Sequence, residues 1–436
     1  MALYIFTIKE IRILDLLNGN YYTVKTDQDT SGFTWGSTDT DVKFYQMQGA
    51  SWDDPRWDDL LSQMTREEAW VLAANAGDSI PSVESAGLHE QKITVNAGNG
   101  LDEITLGSTL VANAPWAISA DDPNAGWYGI CFASSPVLAS TFNPGFMHEL
   151  GEFIGIESLF VGIPVLWGPG LNTHRTPYGG RNGEYYSEDP VLSGVAAMEY
   201  AIGAREYGLI VAPKHFAFND QETKRKGLAP FMTEQRAREI ELRAYQIPIE
   251  ATKYDRLAGE DTGMLGLMIS FSKIGPVECT ASRGLLTDIL CEEWGFRGYA
   301  TTDIFDDPNL FSAVVYAGAT GFDFRGKSNI DMTIFDATSI YGGVPANQID
   351  GTKITTSLYD GDADMMQAIK DSNKRTFYVL ANSNLMNSYN STSHTVSLMT
   401  WWRAAYISLI TVTAVLAAGS AAMYAVAAIK STKEES

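Results

Sequence analysis

Between residues 51 and 390 the chain alternates short apolar runs with longer amphipathic stretches. A strand that helices cover on both faces is apolar throughout, so each short run predicts a buried parallel strand. The runs are PWAISAD at 115–121, GIPVLWG at 162–168, GLIVAPKH at 208–215, GMLGLMIS at 263–270 and GYATTD at 298–303. Their alternation with helical patterns predicts βα units built around a parallel sheet.

The amphipathic stretches carry helix signals. One helix is predicted to begin at Asn143, because the next residue is a proline suited to the first helical position. Others are predicted at 188–208, after Thr233 and at 282–295, and a closing helix at 361–385. These units are too numerous for a small doubly wound sheet. The sequence therefore predicts an α/β fold of the (β/α)8 TIM-like barrel type.

The end of the chain has a different pattern. Residues 404–429 contain no charged side chain, and about 20 apolar residues are enough to span a bilayer as a helix. Trp401 and Trp402 precede the run, and Lys430 and Lys433 follow it, which is typical of residues at the two membrane interfaces. The two lysines, against one arginine before the run, favour a short tail inside the cell and the large domain outside. A buried helix is the alternative, because Ala, Gly, Ser and Thr dilute the run.

These patterns divide the chain into five parts. We predict an irregular lead-in at 1–50, a barrel domain at 51–390, a linker at 391–403, a transmembrane helix at 404–429 and a short tail at 430–436. Glu10 and other charges interrupt the apolar start, so it does not predict a signal peptide. Either the tail anchor inserts without one, or the chain is the C-terminal piece of a longer protein, which is the interpretation we favour.

Composition excludes several classes of function. The chain has 436 residues and a formal net charge of −22, so its surface repels phosphate backbones and we expect no nucleic-acid partner. Its three cysteines and five histidines show no metal-ligand spacing. We therefore expect neither a metal nor an organic cofactor.

Polar side chains stand where the predicted strands end, which is where barrels carry their chemistry. They are Asp121, Asn172 and Arg175, Lys214 and His215, Ser270, which Phe271 follows, and Asp303. Such a set of carboxylates, cations and amides predicts a site for a polar, uncharged ligand.

Three segments are more specific. GPGLNTHRTPYGGRNGEYYSEDP at 168–190, KHFAFNDQE at 214–222 and LLTDILCEEWGFRGYATTD at 285–303 occur in this order. Here the sequence resembles the glycoside hydrolase family 3 β-glucosidases, over roughly residues 50–390. The resemblance implies a barrel domain and hydrolysis of β-linked glucosides or oligosaccharides in carbohydrate metabolism.

The resemblance also implies roles for five residues. Asp303 matches the catalytic nucleophile, which would form a covalent glycosyl-enzyme. Asp121, Arg181, Lys214 and His215 match residues that bind the sugar hydroxyls. Structural alternatives remain: Asp303 could cap the next helix, Arg181 could brace its loop in an ion pair, and His215 could be a satisfied core histidine.

The sequence departs from the family pattern at three positions. Asp122 stands where the family has glycine, Phe271 where it usually has tyrosine, and Ile304 where an aromatic residue follows the nucleophile. These changes are expected to narrow the substrate range or weaken activity.

The general acid/base is the largest gap. In β-glucosidase-like members this glutamate comes from a separate sandwich domain, and residues 391–436 are too few to form one. A reversed domain order, with the sandwich upstream of the barrel and a C-terminal anchor, would account for this pattern. Glu222 or Asp220 could instead substitute for the missing acid.

We therefore expect a cell-membrane protein, crossing once, whose extracellular barrel hydrolyses β-glycosides by retention. Its expected partners are a β-glycoside or oligosaccharide substrate, the lipid bilayer and a sandwich domain encoded upstream. The alternatives are a catalytically degenerate carbohydrate-binding relative and a membrane-tethered interaction domain, since fold does not imply function.

Overall fold

The computed structural model describes residues 21–75, 79–89, 91–92, 94–96, 132–161, 163–225, 228–251, 264–304, 311–323, 349–350, 353–354, 360–387, 389–393 and 401–434. The chain divides into two compact units, Met1–Ser393 and His394–Ser436. The predicted strand at 115–121, and with it Asp121 and Asp122, lies outside the described residues.

Six parallel strands form the centre of the larger unit. They are β1 (Thr94–Asn96), β2 (Val165–Gly170), β3 (Ile210–Lys214), β4 (Gly266–Ile269), β5 (Tyr299–Ile304) and β6 (Gly321–Asp323). β1, β2 and β3 pair in parallel, as do β4, β5 and β6. A parallel bridge between Phe216 and Ile269 joins the two groups, with Phe216 N–H donating to Met268 O at 2.7 Å. Sequential strands are thus neighbours in space.

Four of the five predicted strands are confirmed, within three residues at each boundary, as β2, β3, β4 and β5. Every described residue of β2, β3 and β4 is buried, as expected for strands covered on both faces. The alternation of parallel strands and helices among the described residues supports an α/β fold. Closure into a (β/α)8 barrel stays a prediction.

Helices surround these strands. They are α1 (Arg56–Gln63), α2 (Arg66–Asn75), α3 (Ser135–Ala139), α4 (Pro144–Val161), α5 (Pro190–Arg205), α6 (Glu234–Arg236), α7 (Arg243–Ile249), α8 (Phe311–Ala317) and α9 (Ala363–Ala381). Three short antiparallel pairs also occur, joining Ser79–Ile80 to Gln91–Lys92, Lys273–Ile274 to Val277–Glu278 and Ile349–Asp350 to Lys353–Ile354. In the lead-in, residues 21–50 are described, and they are irregular apart from a 3-10 turn at Phe44–Met47.

Local side chains start several of these helices where the sequence predicts. Asn143 Oδ1 accepts from Phe146 N–H at 3.2 Å, Thr233 Oγ1 accepts from Arg236 N–H at 3.2 Å, and Asp189 Oδ1 accepts from Val191 N–H at 2.7 Å. Each cap satisfies a backbone donor that has no partner within the helix.

Two predicted α-helices instead contain π-helical segments, in which backbone hydrogen bonds join residues five apart. The stretch after Thr233 contains a π-helical segment at Ala237–Glu241, and the helix predicted at 282–295 is π-helical over Gly284–Glu293. Backbone bonds such as Trp294 N–H to Ile289 O, at 3.0 Å, close this wider turn.

The smaller unit contains one long helix, α10 (Trp401–Glu434). Within it, Ala405–Ala425 is long and apolar enough to cross a membrane, and its residues are exposed. A membrane crossing by the run at 404–429 stays a prediction.

Candidate active site

The carboxyl ends of β2, β3 and β5 bring the predicted site residues to one edge of the sheet. Lys214 is the last residue of β3, His215 follows it, and Asp303 is the penultimate residue of β5. The backbone links these ends, because Leu171 N–H, just after β2, donates to Lys214 O at 2.8 Å. Lys214, His215 and Asp303 are all buried.

His215 lies at the centre of this group. Its Nε2 atom is 3.1 Å from Arg181 Nη1 and 3.6 Å from Asp303 Oδ2. Asn172 fixes the backbone beneath it: His215 N–H donates to Asn172 Oδ1 at 2.8 Å, and Asn172 Nδ2 donates to His215 O at 2.9 Å. The structure thus brings together Arg181, His215 and Asp303, with Lys214 adjacent in the chain.

Arg181 contacts two groups of side chains. Its guanidinium forms a bidentate ion pair with the buried Glu184, with Nε 2.6 Å from Oε1 and Nη2 bonded to Oε2. Its remaining nitrogen, Nη1, reaches His215 and lies 3.8 Å from Glu222 Oε1. Burial is the largest single effect and acts to lower the pKa of Arg181, but the Glu184 bonds and the charges of Tyr185, Glu184 and Glu222 together raise that pKa. The ion pair that the sequence offered as an alternative role therefore coexists with a place in the site.

His215 is neutral at ordinary pH. Burial first, and then the positive charges of Arg181, Lys214 and Arg225, lower the pKa of His215 well below its usual value. A neutral imidazole has one donor and one acceptor nitrogen, so the neighbours of each nitrogen decide its role.

Sequence analysis assigned no role to Tyr185, Asn219 or Arg225, although all three lie within or next to the quoted motifs. Tyr185 Oη is 3.4 Å from His215 Nδ1, and Asn219 Nδ2 donates to Tyr185 Oη at 3.1 Å and to Glu222 Oε1 at 3.0 Å. Arg225 Nη1 lies 3.2 Å from Glu222. The only sequence signal for Tyr185 was its position next to Glu184 in a motif of polar residues. Only the fold brings its hydroxyl group close to His215.

Two other strand-end groups have structural contacts. Ser270 Oγ donates to Ala217 O at 2.6 Å. The Arg225 guanidinium lies 4.6 Å from the centroid of the Phe271 ring, a cation–π arrangement. Phe271 stands where the family usually has tyrosine. Its ring thus contacts the same Arg225 guanidinium that binds Glu222.

Asp220 and Glu222, the candidate substitute acids, are both held by arginines. Asp220 pairs with Arg175, whose Nη2 also donates to Gln221 Oε1 at 2.9 Å. Glu222 pairs with Arg225 at 3.2 Å. Arg175, another strand-end residue, therefore binds the loop that carries these acids.

One group of side chains among the described residues has donor atoms close enough for a cation. His148 and Glu152 of α4 and Glu206 at the end of α5 place their donor atoms within 4.8 Å of one another. His148 Nε2 is 3.0 Å from Glu206 Oε1 and 3.9 Å from Glu152 Oε1, so contacts among these three side chains account for the cluster. It lies on the helices, not at the strand ends.

Comparisons with known proteins concern the family and the fold. Residues 118–333 match the glycosyl hydrolase family 3 N-terminal domain. The chain is 35% identical over 184 residues to a protein of Emericella nidulans named probable β-glucosidase J, which covers 42% of this chain and 20% of that protein. It is 32% identical over 241 residues to probable β-glucosidase I of Aspergillus flavus, covering 53% and 27%.

Solved structures give the same result. β-glucosidase 3B of Thermotoga neapolitana, in complex with glycerol, superposes with a TM-score of 0.60 at 26% identity over 77% of this chain and 44% of that one. A β-glucosidase of Paenibacillus barengoltzii, 18% identical, has a TM-score of 0.60 over 89% and 38%, and shows the fold alone. The chain spans about a quarter of the two curated relatives. These matches support glycoside hydrolase family 3 and an α/β fold.

Proposed function

We propose that this chain carries the nucleophile and much of the sugar site of a retaining O-glycosyl hydrolase that acts on β-glucosides. The observation that carries the proposal is the convergence of Arg181, His215 and Asp303 at the strand ends, with His215 Nε2 3.1 Å from the arginine and 3.6 Å from the carboxylate. The family match and the β-glucosidase relatives support the substrate class.

In the proposed reaction the Asp303 carboxylate attacks the anomeric carbon and the bond from that carbon to the leaving oxygen breaks. A second carboxyl group, about 5–5.5 Å away in retaining enzymes, donates a proton to the leaving oxygen. That group then takes a proton from water, which attacks the glycosyl-enzyme and releases Asp303.

The sugar-binding groups act by hydrogen bonding. We propose that Lys214 donates to sugar hydroxyls, that Arg181 and His215 line the same subsite, and that Asp121 accepts from hydroxyls there. Arg181 and Lys214 also place positive charge near His215, which lies 3.6 Å from Asp303.

We further propose that the proton donor lies on a sandwich domain outside the 436 residues, encoded upstream of the barrel. Two observations support this. Asp220 and Glu222, the nearby candidates, are engaged by arginines. The chain also spans only 20% and 27% of the two curated β-glucosidases described above, so much of such a protein lies beyond it.

The proposal for α10 is that it anchors the protein in the cell membrane by a single crossing, with the catalytic domain outside. The exposed apolar stretch Ala405–Ala425 supports the anchor, and the lysines at its end support the orientation. Carbonate-washed membranes should retain the full chain and release a chain truncated at residue 400.

The decisive experiment uses the natural full-length protein. A 2-fluoro β-glucoside should trap the glycosyl-enzyme, and mass spectrometry should find the label on Asp303. Asp303→Asn should lose turnover of an aryl β-glucoside by about four orders of magnitude or more. Asp288→Asn, an exposed change on the helix Gly284–Glu293, is the matched control and should keep its activity.

Two outcomes would change the proposal. A label on another residue would refute the role of Asp303. If the protein bound a glucoside but hydrolysed no member of a glycoside panel, the result would favour a catalytically degenerate, carbohydrate-binding relative. The observation that favours this alternative is Phe271, which stands where the family usually has tyrosine.

A further inference from the structure

We propose that Tyr185 and Asn219 are positioning residues that hold His215 as the neutral tautomer protonated on Nδ1. In that tautomer the Nε2 atom, on the side of Asp303, is an acceptor and has no proton to give. The consequence for catalysis rests on the proposed function, whereas the tautomer itself does not.

The first step concerns Nε2. The guanidinium of Arg181 has only donors, so its Nη1–H donates to His215 Nε2 across 3.1 Å and Nε2 must accept. Arg181 cannot readily turn away, because Glu184 binds two of its other nitrogens. A neutral imidazole whose Nε2 accepts carries its single proton on Nδ1.

The second step concerns Nδ1. Tyr185 Oη lies 3.4 Å from this nitrogen, and the two rings meet nearly edge to face at an interplanar angle of 77°. Both side chains are buried, so the Nδ1–H group needs a protein acceptor in place of water. Tyr185 supplies that acceptor.

The third step concerns what holds Tyr185. Asn219 Nδ2 donates to Tyr185 Oη at 3.1 Å and to Glu222 Oε1 at 3.0 Å. Ser272 Oγ donates to Asn219 Oδ1 at 3.3 Å. The Asn219 amide nitrogen uses one of the two lone pairs of Tyr185 Oη, and the second can accept from His215 Nδ1–H. The Arg181 contact on Nε2 decides that Nδ1 is the donor in this pair.

The consequence concerns the nucleophile. His215 Nε2 lies 3.6 Å from Asp303 Oδ2, but it has no proton to donate to that oxygen. A hydrogen bond from imidazole would stabilise the carboxylate before reaction and weaken its attack on the sugar. The tautomer thus keeps Asp303 nucleophilic, and it excludes His215 as the proton donor of the reaction.

Nitrogen NMR of the full-length protein labelled with 15N-histidine tests the tautomer directly. We expect the His215 signal, assigned by its loss in His215→Asn, to show a protonated Nδ1 and an unprotonated Nε2 at neutral pH. In Tyr185→Phe the Nδ1–H loses its acceptor, so a population protonated on Nε2 should appear. Tyr186→Phe, which removes the hydroxyl of the next buried tyrosine, should leave the signal unchanged.

Activity gives the second measurement. Tyr185→Phe should lower kcat for an aryl β-glucoside about tenfold, with a smaller change in KM, because the Nε2–H tautomer then donates to Asp303. A wild-type His215 protonated on Nε2, or on both nitrogens at neutral pH, would overturn the proposal even if Tyr185→Phe failed to fold. A wild-type protein that hydrolyses no glycoside would instead refute the proposed function and leave the NMR result to decide the tautomer.

Discussion

Globular proteins usually bury apolar side chains and expose charged ones. The strand-end site and helix α10 both depart from this pattern, in opposite ways. At the site, charged and polar groups are buried: Glu184 and Lys214 are 1% exposed and His215 is 2% exposed. In α10, large apolar side chains are in the open, with Leu409 62% exposed and Leu416 64% exposed. Buried charges and extended apolar surfaces are the two informative exceptions in globular proteins.

The two exceptions are stabilised differently. The buried polar groups of the site are satisfied within the protein: Glu184 forms an ion pair with Arg181, and Asn172 bonds to the backbone N–H and C=O of His215. The apolar residues of α10 have no such compensation in the described part of the chain, and a lipid bilayer is the environment that would supply it. Both kinds of exception therefore indicate where to look for function. Buried charged and polar groups indicate a chemical site, whereas exposed apolar side chains indicate a surface that binds lipid.

Breaking the compensation inside the site is expected to have the largest effect. Arg181→Ala should lower the free energy of unfolding by about 3–5 kcal/mol, because it leaves Glu184 buried without its partner. Urea unfolding measures the change. Arg181→Lys keeps the charge without the bidentate geometry and should fall between wild type and Arg181→Ala. A loss under about 1 kcal/mol for the alanine variant would show that the pair acts like a surface ion pair.

Placing a charge in the exposed apolar helix should have the next largest effect. Leu416→Arg lies near the middle of Ala405–Ala425 and should disfavour insertion by about 2.5–3.5 kcal/mol. The fraction of protein retained by carbonate-washed membranes should fall accordingly. Ser431→Arg, beyond the apolar stretch, is the matched control and should partition like wild type. Equal retention of both variants would count against a membrane crossing by α10.

The neutral state of His215 predicts a pH dependence. Because its pKa is lowered in the folded protein, the unfolded chain binds the extra proton below about pH 6.5, and the folded state loses stability as the pH falls. The loss from this residue should approach about 1.4 kcal/mol per pH unit. His215→Asn should remove this component, so urea unfolding of the two proteins between pH 7.5 and 5.5 should give slopes that differ. Parallel slopes would mean that His215 titrates normally.

A polar group that remains exposed should matter least. Asp189→Ala removes the cap of α5 and should cost about 1 kcal/mol of unfolding free energy. Asp189→Asn keeps an oxygen that accepts from Val191 N–H and should cost much less. Thermal unfolding of the two variants distinguishes the cap from a general effect of charge.

Local patterns predicted much of the fold. The runs at 162–168, 208–215, 263–270 and 298–303 are strands, and the caps at Asn143 and Thr233 start helices, because burial of a parallel strand and satisfaction of the first helical N–H groups depend on nearby residues. The π-helical geometry of Gly284–Glu293 was not predicted, since an apolar helical period does not distinguish it from an α-helix.

The sequence alone determined which residue types were available for chemistry and which segment was apolar enough to cross a membrane, because composition and motif spacing are properties of the chain. Only the tertiary structure decided that Arg181 donates to His215 while binding Glu184, and that Tyr185 faces the other side of the same ring. Hydrogen bonds are short and directional, so partners that are 30 or more residues apart, such as Tyr185 and His215, are set by how the strand ends meet rather than by their order along the chain.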